Sequence, residues 1–159
     1  MEAGRRVEDA FLENEQRLGQ FLVHMVRDRA LAEDLLQETF LAAYNDRHRV
    51  DTIQHLDAWL FGIARHRALS ALRRTQRMRR ALERLASQRE PAQPETTEVN
   101  DVMNVLDRVL RPDDRSLLLM RYVHDFSAAQ LAELTGRPPA TIRKRLERAC
   151  TALEREFPR

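Results

Sequence analysis

The chain has 159 residues, of which 33% are charged, and it contains only 4 glycines and 6 prolines. Its apolar residues are mainly leucine and alanine, a composition that favours helix over strand. The single cysteine, Cys150, excludes an intramolecular disulfide and a cysteine-based zinc site. Since the sequence shows no signal peptide and no apolar run long enough to span a membrane, we expect a cytoplasmic protein with no membrane contact of its own.

Length and charge distribution narrow the class of protein further. A chain of this length forms one ordinary domain or two small ones of about 60–75 residues, and domains that small are marginally stable alone. The formal net charge is only +2, but residues 65–89 hold nine arginines and one acid, Glu83. This block indicates a surface that faces nucleic-acid phosphates, with an ordinary solvated helix face as the alternative.

The first two predicted helices carry apolar residues at helical spacing. One runs from about Val7 to Arg27, and the second runs from Arg29 to Asn45 with Asp28 as its N-cap. A line of polar residues with an apolar neighbour occupies one face of the second helix, namely Asp34, Gln37, Glu38 and Leu41. Judged from the residues alone, this line is best explained as a solvated face.

A loop and a long basic helix are predicted next. The stretch 46–54 has no helical period, although it lacks glycine and proline, and its side chains include Arg47, His48, Arg49 and Gln54. The following helix is predicted from about Leu56 through Arg74, and the sequence leaves its end open between Arg74 and Gln88. It has an apolar stripe on one side and basic residues on the other, namely Arg65, Arg67, Arg73 and Arg74. Because Trp59 precedes Ile63 by one helical turn, we expect it in the core rather than as a stacking platform for a base.

A polar, proline-containing stretch from about 88 to 100 is predicted to be a linker. An amphipathic helix follows from near Asp101 and ends before Pro112. Pro112 also suits the first turn of the next helix, where Asp113 and Asp114 interact favourably with the helix dipole.

The segment after residue 126 has the spacing of a helix-turn-helix. Ser127 and Gln130 form a capping box at the start of a short helix. Ala132 allows two helices to cross closely, and Gly136 permits the positive φ of a tight turn. Ile142 is expected to pack the following helix onto the first. Small, glycine and apolar residues at these spacings are typical of the motif.

The second helix of this motif is basic and presents Thr141, Arg143, Lys144, Arg145 and Arg148. Its start is expected to enter the major groove of DNA. Arginine suits bidentate contact with guanine, and lysine or threonine suits phosphate. The alternative is a helical hairpin that contacts protein, with the basic residues as a solvated face.

Two separate stretches of the chain resemble a known family. Residues 106–123, 126–136 and 141–149 resemble region 4 of bacterial sigma factors, and residues 28–41 and 58–74 resemble region 2. No room remains for the middle region of primary sigma factors, so the chain resembles the small extracytoplasmic function group. The resemblance implies an all-α fold of two helical domains, region 2 in residues 1–85 and region 4 in residues 101–159, joined by a flexible linker at 86–100.

The resemblance also implies roles for individual residues. Asp34, Gln37 and Glu38, with Leu41 beside them, would dock on the β′ clamp helices of core RNA polymerase. The stretch from Arg47 to His55, including His48, Arg49 and Gln54, would capture a base of the −10 element. The arginines Arg65, Arg67, Arg73 and Arg74 would hold −10 DNA. His66, included with the −10 residues, stands where the family usually has asparagine. If that position contacts DNA, the change affects −10 recognition, and if it is structural, little follows.

The function implied is promoter-specific initiation of transcription, with region 4 reading −35 duplex DNA and region 2 opening the −10 element. An anti-sigma factor is implied as a further partner. The alternative is a sigma-like regulator or decoy that binds DNA or polymerase without starting transcription. We find no catalytic constellation, metal-ligand set or cofactor motif, and therefore expect a protein that is not an enzyme and needs no cofactor.

Overall fold

The computed structural model describes residues 1–85 and 98–157, which are helical throughout these ranges apart from short connections. The helices are α1 Glu2–Val26, α2 Arg29–Asn45, α3 Leu56–Leu85, α4 Glu98–Val109, α5 Pro112–Leu118, α6 Ala128–Thr135 and α7 Pro139–Glu156. A 3-10 helix spans Arg47–Thr52, and a π-helical turn over Leu119–Val123 continues α5. Within the described ranges no helix combines the length and the apolar character that crossing a lipid bilayer requires.

Three helices, α1 to α3, form a bundle that we call the N-terminal module. The apolar faces of α1 and α3 supply its largest buried side chains, among them Leu18, Phe21, Leu22, Leu60 and Phe61. As predicted, α2 begins after Asp28, whose side chain accepts a hydrogen bond from the Leu31 amide at 3.2 Å. A left-handed residue, Arg27 at φ 60°, ends α1 and lets the chain reverse.

One segment of this module differs from the sequence prediction, and one boundary that the sequence leaves open is defined by the structure. The stretch predicted to be a loop forms the 3-10 helix Arg47–Thr52, because Val50 is fully buried and draws the backbone against the bundle. The end of α3, which the sequence leaves open between Arg74 and Gln88, lies at Leu85. Residues 75–85 contain no glycine or proline and consist mostly of good helix formers, so nothing in the local sequence stops the helix.

Most of the predicted linker, residues 86–97, lies outside the described residues. The last predicted linker residues, Glu98–Asn100, form the first residues of α4 instead.

The helices α4 to α7 form the C-terminal module, and α6 and α7 build the predicted helix-turn-helix. Both hydrogen bonds of the capping box are present, from the Gln130 amide to the Ser127 hydroxyl at 3.1 Å and from the Ser127 amide to the Gln130 side chain at 2.8 Å. Gly136 has φ 70°, a left-handed conformation that favours glycine. Ala132 and Ile142 are buried where the two helices cross, so the local prediction of the motif is confirmed.

The capping box predicts a stability effect. Replacing Ser127 by alanine removes the hydrogen bond to the Gln130 amide and is expected to lower the free energy of unfolding by about 1 kcal/mol. Urea denaturation followed by circular dichroism measures the change. Thr151→Ala is the matched control, because the exposed Thr151 hydroxyl only bonds the carbonyl four residues earlier in its own helix. Equal effects of the two substitutions would contradict a capping role.

The two modules pack against each other through a continuous apolar core. The Phe61 ring of α3 lies 5.6 Å from that of Phe21 and 4.9 Å from both the His124 and Phe126 rings of the C-terminal module. Arg17 of α1 donates a hydrogen bond to the His124 carbonyl at 2.7 Å. Arg115, only 4% exposed, donates to the Met25 carbonyl at 2.8 Å and pairs with Asp107 at 2.9 Å. The sequence predicted two domains but not this contact between them.

Candidate DNA and polymerase interfaces

The predicted polymerase-docking residues share one exposed face of α2. Asp34, Gln37, Glu38 and Leu41 are all exposed, and Leu41 keeps 58% of its surface accessible. The opposite side of the helix is buried through Ala32, Leu35, Thr39 and Ala43. The exposed face therefore combines two carboxylates, an amide and a large apolar side chain.

The 3-10 helix turns several polar side chains outward. Arg47, His48 and Arg49 are exposed before the buried Val50, and Gln54 is exposed just beyond the end of the 3-10 helix. The Arg47 guanidinium lies 4.5 Å from the centre of the Tyr44 ring and donates to the Tyr44 carbonyl at 3.0 Å. The segment is therefore held at its start while its far end stays accessible.

An open groove lies between α1 and the connection from the 3-10 helix into α3, and sequence reasoning did not identify it. Its lining includes Gln54 and, from α1, Arg6, Asp9 and Glu13. Arg6 pairs with Asp51 of the 3-10 helix at 2.8 Å. These α1 residues lie about 45 positions away in the sequence, so no local pattern indicates that they border the predicted −10 loop.

The basic residues of α3 are not equivalent in the structure. His66, Arg73 and Arg74 are exposed, and Arg67 is half-buried with a long contact of 3.8 Å to Glu38. Arg65 instead points into the contact between the modules, where it donates to the Ser116 hydroxyl at 2.9 Å and pairs with Asp113. Trp59 is half-buried and packs against the core, in line with the sequence prediction.

Four of the five predicted −35 residues are exposed on α7, and the fifth, Arg145, forms ion pairs with two aspartates. Thr141, Arg143, Lys144 and Arg148 are accessible. Arg145 is half-buried and contacts Asp113 at 2.6 Å and Asp114 at 3.5 Å. Arg111 and Arg148 line the same small cleft, so Arg111 joins the basic surface although its position in the sequence, before Pro112, did not single it out.

The Asp113 carboxylate forms ion pairs with three arginines, Arg65, Arg137 and Arg145. Burial alone raises the pKa of the Asp113 carboxyl. The hydrogen bond from Arg137 and the charges of Arg65 and Arg137 outweigh burial, so that the pKa lies below its ordinary value. Asp113 is therefore ionised at neutral pH.

Within residues 1–85 and 98–157, no group of three or more histidine, cysteine, aspartate or glutamate side chains is arranged to hold a metal ion. Cys150 is half-buried, with its sulfur 3.8 Å from the Tyr122 hydroxyl.

A helix-turn-helix with a basic second helix, packed beside a bundle with its own basic and acidic surfaces, defines a helical DNA-binding transcription protein. The family pattern described as Sigma-70 region 2 matches residues 10–78, and that described as Sigma-70, region 4 matches residues 108–153. The sigma factor CarQ of Myxococcus xanthus is 34% identical over 148 residues, covering 89% of this chain and 83% of CarQ.

Two further relatives of this chain are also sigma factors. SigL of Mycobacterium tuberculosis, an extracytoplasmic function (ECF) sigma factor, is 31% identical over 86% of this chain and 80% of SigL. The sigma factor RpoE of Bartonella quintana, solved in complex with the anti-sigma factor NepR, superposes with a TM-score of 0.72 at 25% identity, covering 93% of this chain and 94% of RpoE. The chain belongs to the ECF group of the sigma-70 family of RNA polymerase sigma factors. Its function is to direct promoter-specific initiation of transcription.

Proposed function

We propose that the two modules divide the work of initiation. Residues 1–85 would dock on core RNA polymerase and bind the −10 element, and residues 101–159 would read the −35 element. The observation that carries this proposal is that the first turns of α7 are basic and exposed. They follow a helix with a complete capping box and a tight turn at Gly136. In a helix-turn-helix this part of the second helix enters the major groove.

Polymerase docking is assigned to the exposed face of α2. Asp34 and Glu38 would attract a basic helix, Gln37 would add hydrogen bonds, and Leu41 would bury apolar surface. The β′ clamp helices of the polymerase are the proposed partner. Because RNA polymerase is the target, the protein would act in the cytoplasm, and it would redirect the catalytic activity of the polymerase without supplying catalysis of its own.

The −10 element is assigned to the 3-10 helix and to α3. An unpaired base would bind among the exposed residues Arg47, His48, Arg49 and Gln54, with His66, Arg67, Arg73 and Arg74 contacting phosphates nearby, and with Arg65 once it is released from Asp113. Promoter opening needs no covalent chemistry in this scheme, because the binding free energy of the captured base offsets its lost stacking.

An anti-sigma factor is the proposed regulatory partner. RpoE of Bartonella quintana was solved with NepR, and CnrH, at 19% identity and a TM-score of 0.71, was solved with the cytosolic domain of CnrY. The similarity to RpoE supports the proposal of an anti-sigma partner, whereas the similarity to CnrH, at 19% identity, supports the fold alone.

Run-off transcription tests the proposed function directly. Purified core RNA polymerase is combined with genomic promoter fragments, with and without this protein. Specific transcripts that depend on the protein support the proposal, and alignment of their start regions supplies the promoter elements. Absence of transcripts, together with retained binding to core polymerase, would support a decoy instead.

The contact between Arg145 and DNA has its own test. If Arg145 reads a base, Arg145→Ala is expected to weaken binding to the matched −35 duplex by about 1–3 kcal/mol and to relax the preference at one position. Fluorescence anisotropy with matched and single-base-changed duplexes measures both effects. An equal, small loss on every duplex would instead assign Arg145 to a phosphate.

A further inference from the structure

The last turns of α3 extend beyond the buried part of the N-terminal module. Residues 73–85 are all exposed, whereas earlier residues on the same helix are buried in the core. Three large apolar side chains lie in the exposed part, because Met78, Leu82 and Leu85 are 61%, 59% and 85% accessible. We refer to these three residues as the distal stripe.

The distal stripe continues the core-facing side of α3. Its residues fall on one line with the buried Ala64, Ala68 and Ala71, and the spacing along positions 64, 68, 71, 75, 78, 82 and 85 alternates between four and three residues. This repeat is typical of a helix that packs along its length against another helix. Within the module α1 and α2 supply the facing helices, but beyond Ala71 the same line is open to solvent.

An ordinary solvated face accounts for the arginines of this segment but not for the distal stripe. Single exposed apolar residues are common on protein surfaces. Here three of them are aligned over about two helical turns, in the register that α3 uses for packing inside the module. The distal stripe is therefore apolar surface that a second helix can cover.

The width of the distal stripe favours a helix over a lipid surface as its occupant. Successive residues turn by about 100° around a helix, so the three side chains span a sector of only about 60°. A helix that lies on a membrane buries a wider apolar face. A narrow stripe is instead the seam of a pair of helices.

The charges beside the distal stripe indicate the chemistry of the second helix. Residues 73–85 contain six arginines and one acid, Glu83. Arg74 and Arg79 occupy the positions that directly flank the seam. A second copy of α3 would bring arginine against arginine, which disfavours pairing of two copies. Aspartate or glutamate at the flanking positions of the partner would form ion pairs instead.

We propose that the distal stripe is a docking site for an acidic amphipathic helix of another protein. The apolar seam of that helix packs on Met78, Leu82 and Leu85, and its carboxylates pair with Arg74 and Arg79. The docked helix completes the pairing that α3 begins inside the module. Arg74 is also proposed to contact −10 phosphates, so the partner helix competes with DNA at that residue, but the docking itself does not depend on the −10 assignment.

Binding of a synthetic helix to the full chain tests the proposal. The probe is a fluorescein-labelled peptide of about three heptads, with leucine at the seam positions and glutamate at the flanking positions. A matched peptide with lysine at the flanking positions keeps the same apolar seam. Fluorescence anisotropy is expected to show that the acidic peptide binds roughly tenfold or more tightly than the basic one. Equal binding of the two peptides, or no binding of the acidic peptide, would overturn the proposal.

Substitutions in the distal stripe locate the binding. The variant Met78→Gln, Leu82→Gln keeps residues that favour helix and is expected to weaken binding of the acidic peptide roughly tenfold. Leu12→Gln is the matched control, because Leu12 is 66% exposed on α1. Thermal unfolding by circular dichroism is expected to be unchanged in both variants. Unchanged peptide binding by the double variant would show that the peptide binds elsewhere, and a lower unfolding midpoint would show that the stripe serves the fold; either result contradicts the proposal.

A pair of arginine variants tests the charge requirement. Arg79→Gln removes a charge that flanks the seam and is expected to weaken binding of the acidic peptide several-fold. Arg80→Gln removes the same charge from a position about 200° away from Met78 around the helix, and it is expected to have little effect. Equal losses in the two variants would show a general charge effect and would contradict the proposed geometry.

The other possible occupants are distinguished with the unmodified protein and the variant Met78→Gln, Leu82→Gln. Sedimentation velocity measures self-association, flotation with vesicles of phosphatidylglycerol and phosphatidylethanolamine measures lipid binding, and anisotropy with a random DNA duplex measures nucleic-acid binding. The two proteins are expected to behave alike in all three measurements. Self-association, lipid binding or DNA binding that the variant loses would assign the stripe to that occupant and overturn the proposal.

Discussion

Binding to core RNA polymerase is expected to be abolished in the double variant Asp34→Arg, Glu38→Arg. Both carboxylates are exposed on one face of α2 beside Leu41, so the substitutions reverse the charge of the proposed docking surface without entering the core. Placing like charges against a basic partner helix costs several kcal/mol. Biolayer interferometry with immobilised core polymerase measures the loss.

The control for this variant is Glu8→Arg, Glu15→Arg. It changes the net charge by the same amount at two exposed positions of α1. Thermal unfolding by circular dichroism verifies that both double variants remain folded. Unchanged polymerase binding by the α2 variant, or equal losses in the two, would refute the docking assignment.

Acidification is expected to destabilise the folded protein through His124. This side chain is only 3% exposed, and its Nε2 is buried without a hydrogen-bond partner. Burial, reinforced by the charge of Arg17, lowers the His124 pKa from 6.5 to about 4. In the unfolded chain the ring is protonated below its ordinary pKa, whereas in the folded chain it stays neutral down to about pH 4.

Because His124 is protonated at a higher pH in the unfolded chain than in the folded chain, the free energy of unfolding depends on pH. Between pH 6.5 and about 4 the unfolded state binds more protons, so the free energy of unfolding is highest above pH 6.5 and falls as the pH is lowered through that window. The full loss from His124 is about 3 kcal/mol, given 1.36 kcal/mol per pKa unit. Urea denaturation at a series of pH values measures it.

The comparison that isolates His124 is with the variant His124→Phe. Phenylalanine keeps an aromatic ring between Phe21 and Phe61 and removes the titrating group. His24, whose pKa burial also lowers, and the carboxylates still titrate in both proteins, so their contributions cancel in the difference. His66→Gln, at an exposed position, controls for loss of a histidine. A pH dependence that His124→Phe leaves unchanged would disprove this origin.

Local patterns in the sequence predicted much of the fold because the interactions that create it are local. The Asp28 cap, the Ser127–Gln130 capping box and the left-handed turn at Gly136 each depend on residues within a few positions of one another. The exposed face formed by Asp34, Gln37, Glu38 and Leu41 follows from the helical period alone. The polymerase role assigned to that face came from the family resemblance and remains a proposal.

The error in the N-terminal module has a tertiary cause. The 3-10 helix at Arg47–Thr52 exists because Val50 enters the core formed by other helices, and the polar residues around Val50 show no period that predicts this contact. The sequence leaves the end of α3 open between Arg74 and Gln88, because residues 75–85 contain no stop signal and a fading apolar stripe does not end a helix. The 3-10 segment therefore required the tertiary structure, whereas the continuation of α3 agrees with the local sequence.

The sequence by itself determined the helical class, the helix-turn-helix and the exposed face of α2, because helical periodicity and capping depend on near neighbours. Only the tertiary structure decided that Arg65 and Arg145 share Asp113, and that His124 is buried against Phe21 and Phe61. Arg65 and Asp113 are 48 positions apart, and Arg145 is a further 32 away. Pairings at such separations depend on how the modules pack, which no local periodicity encodes.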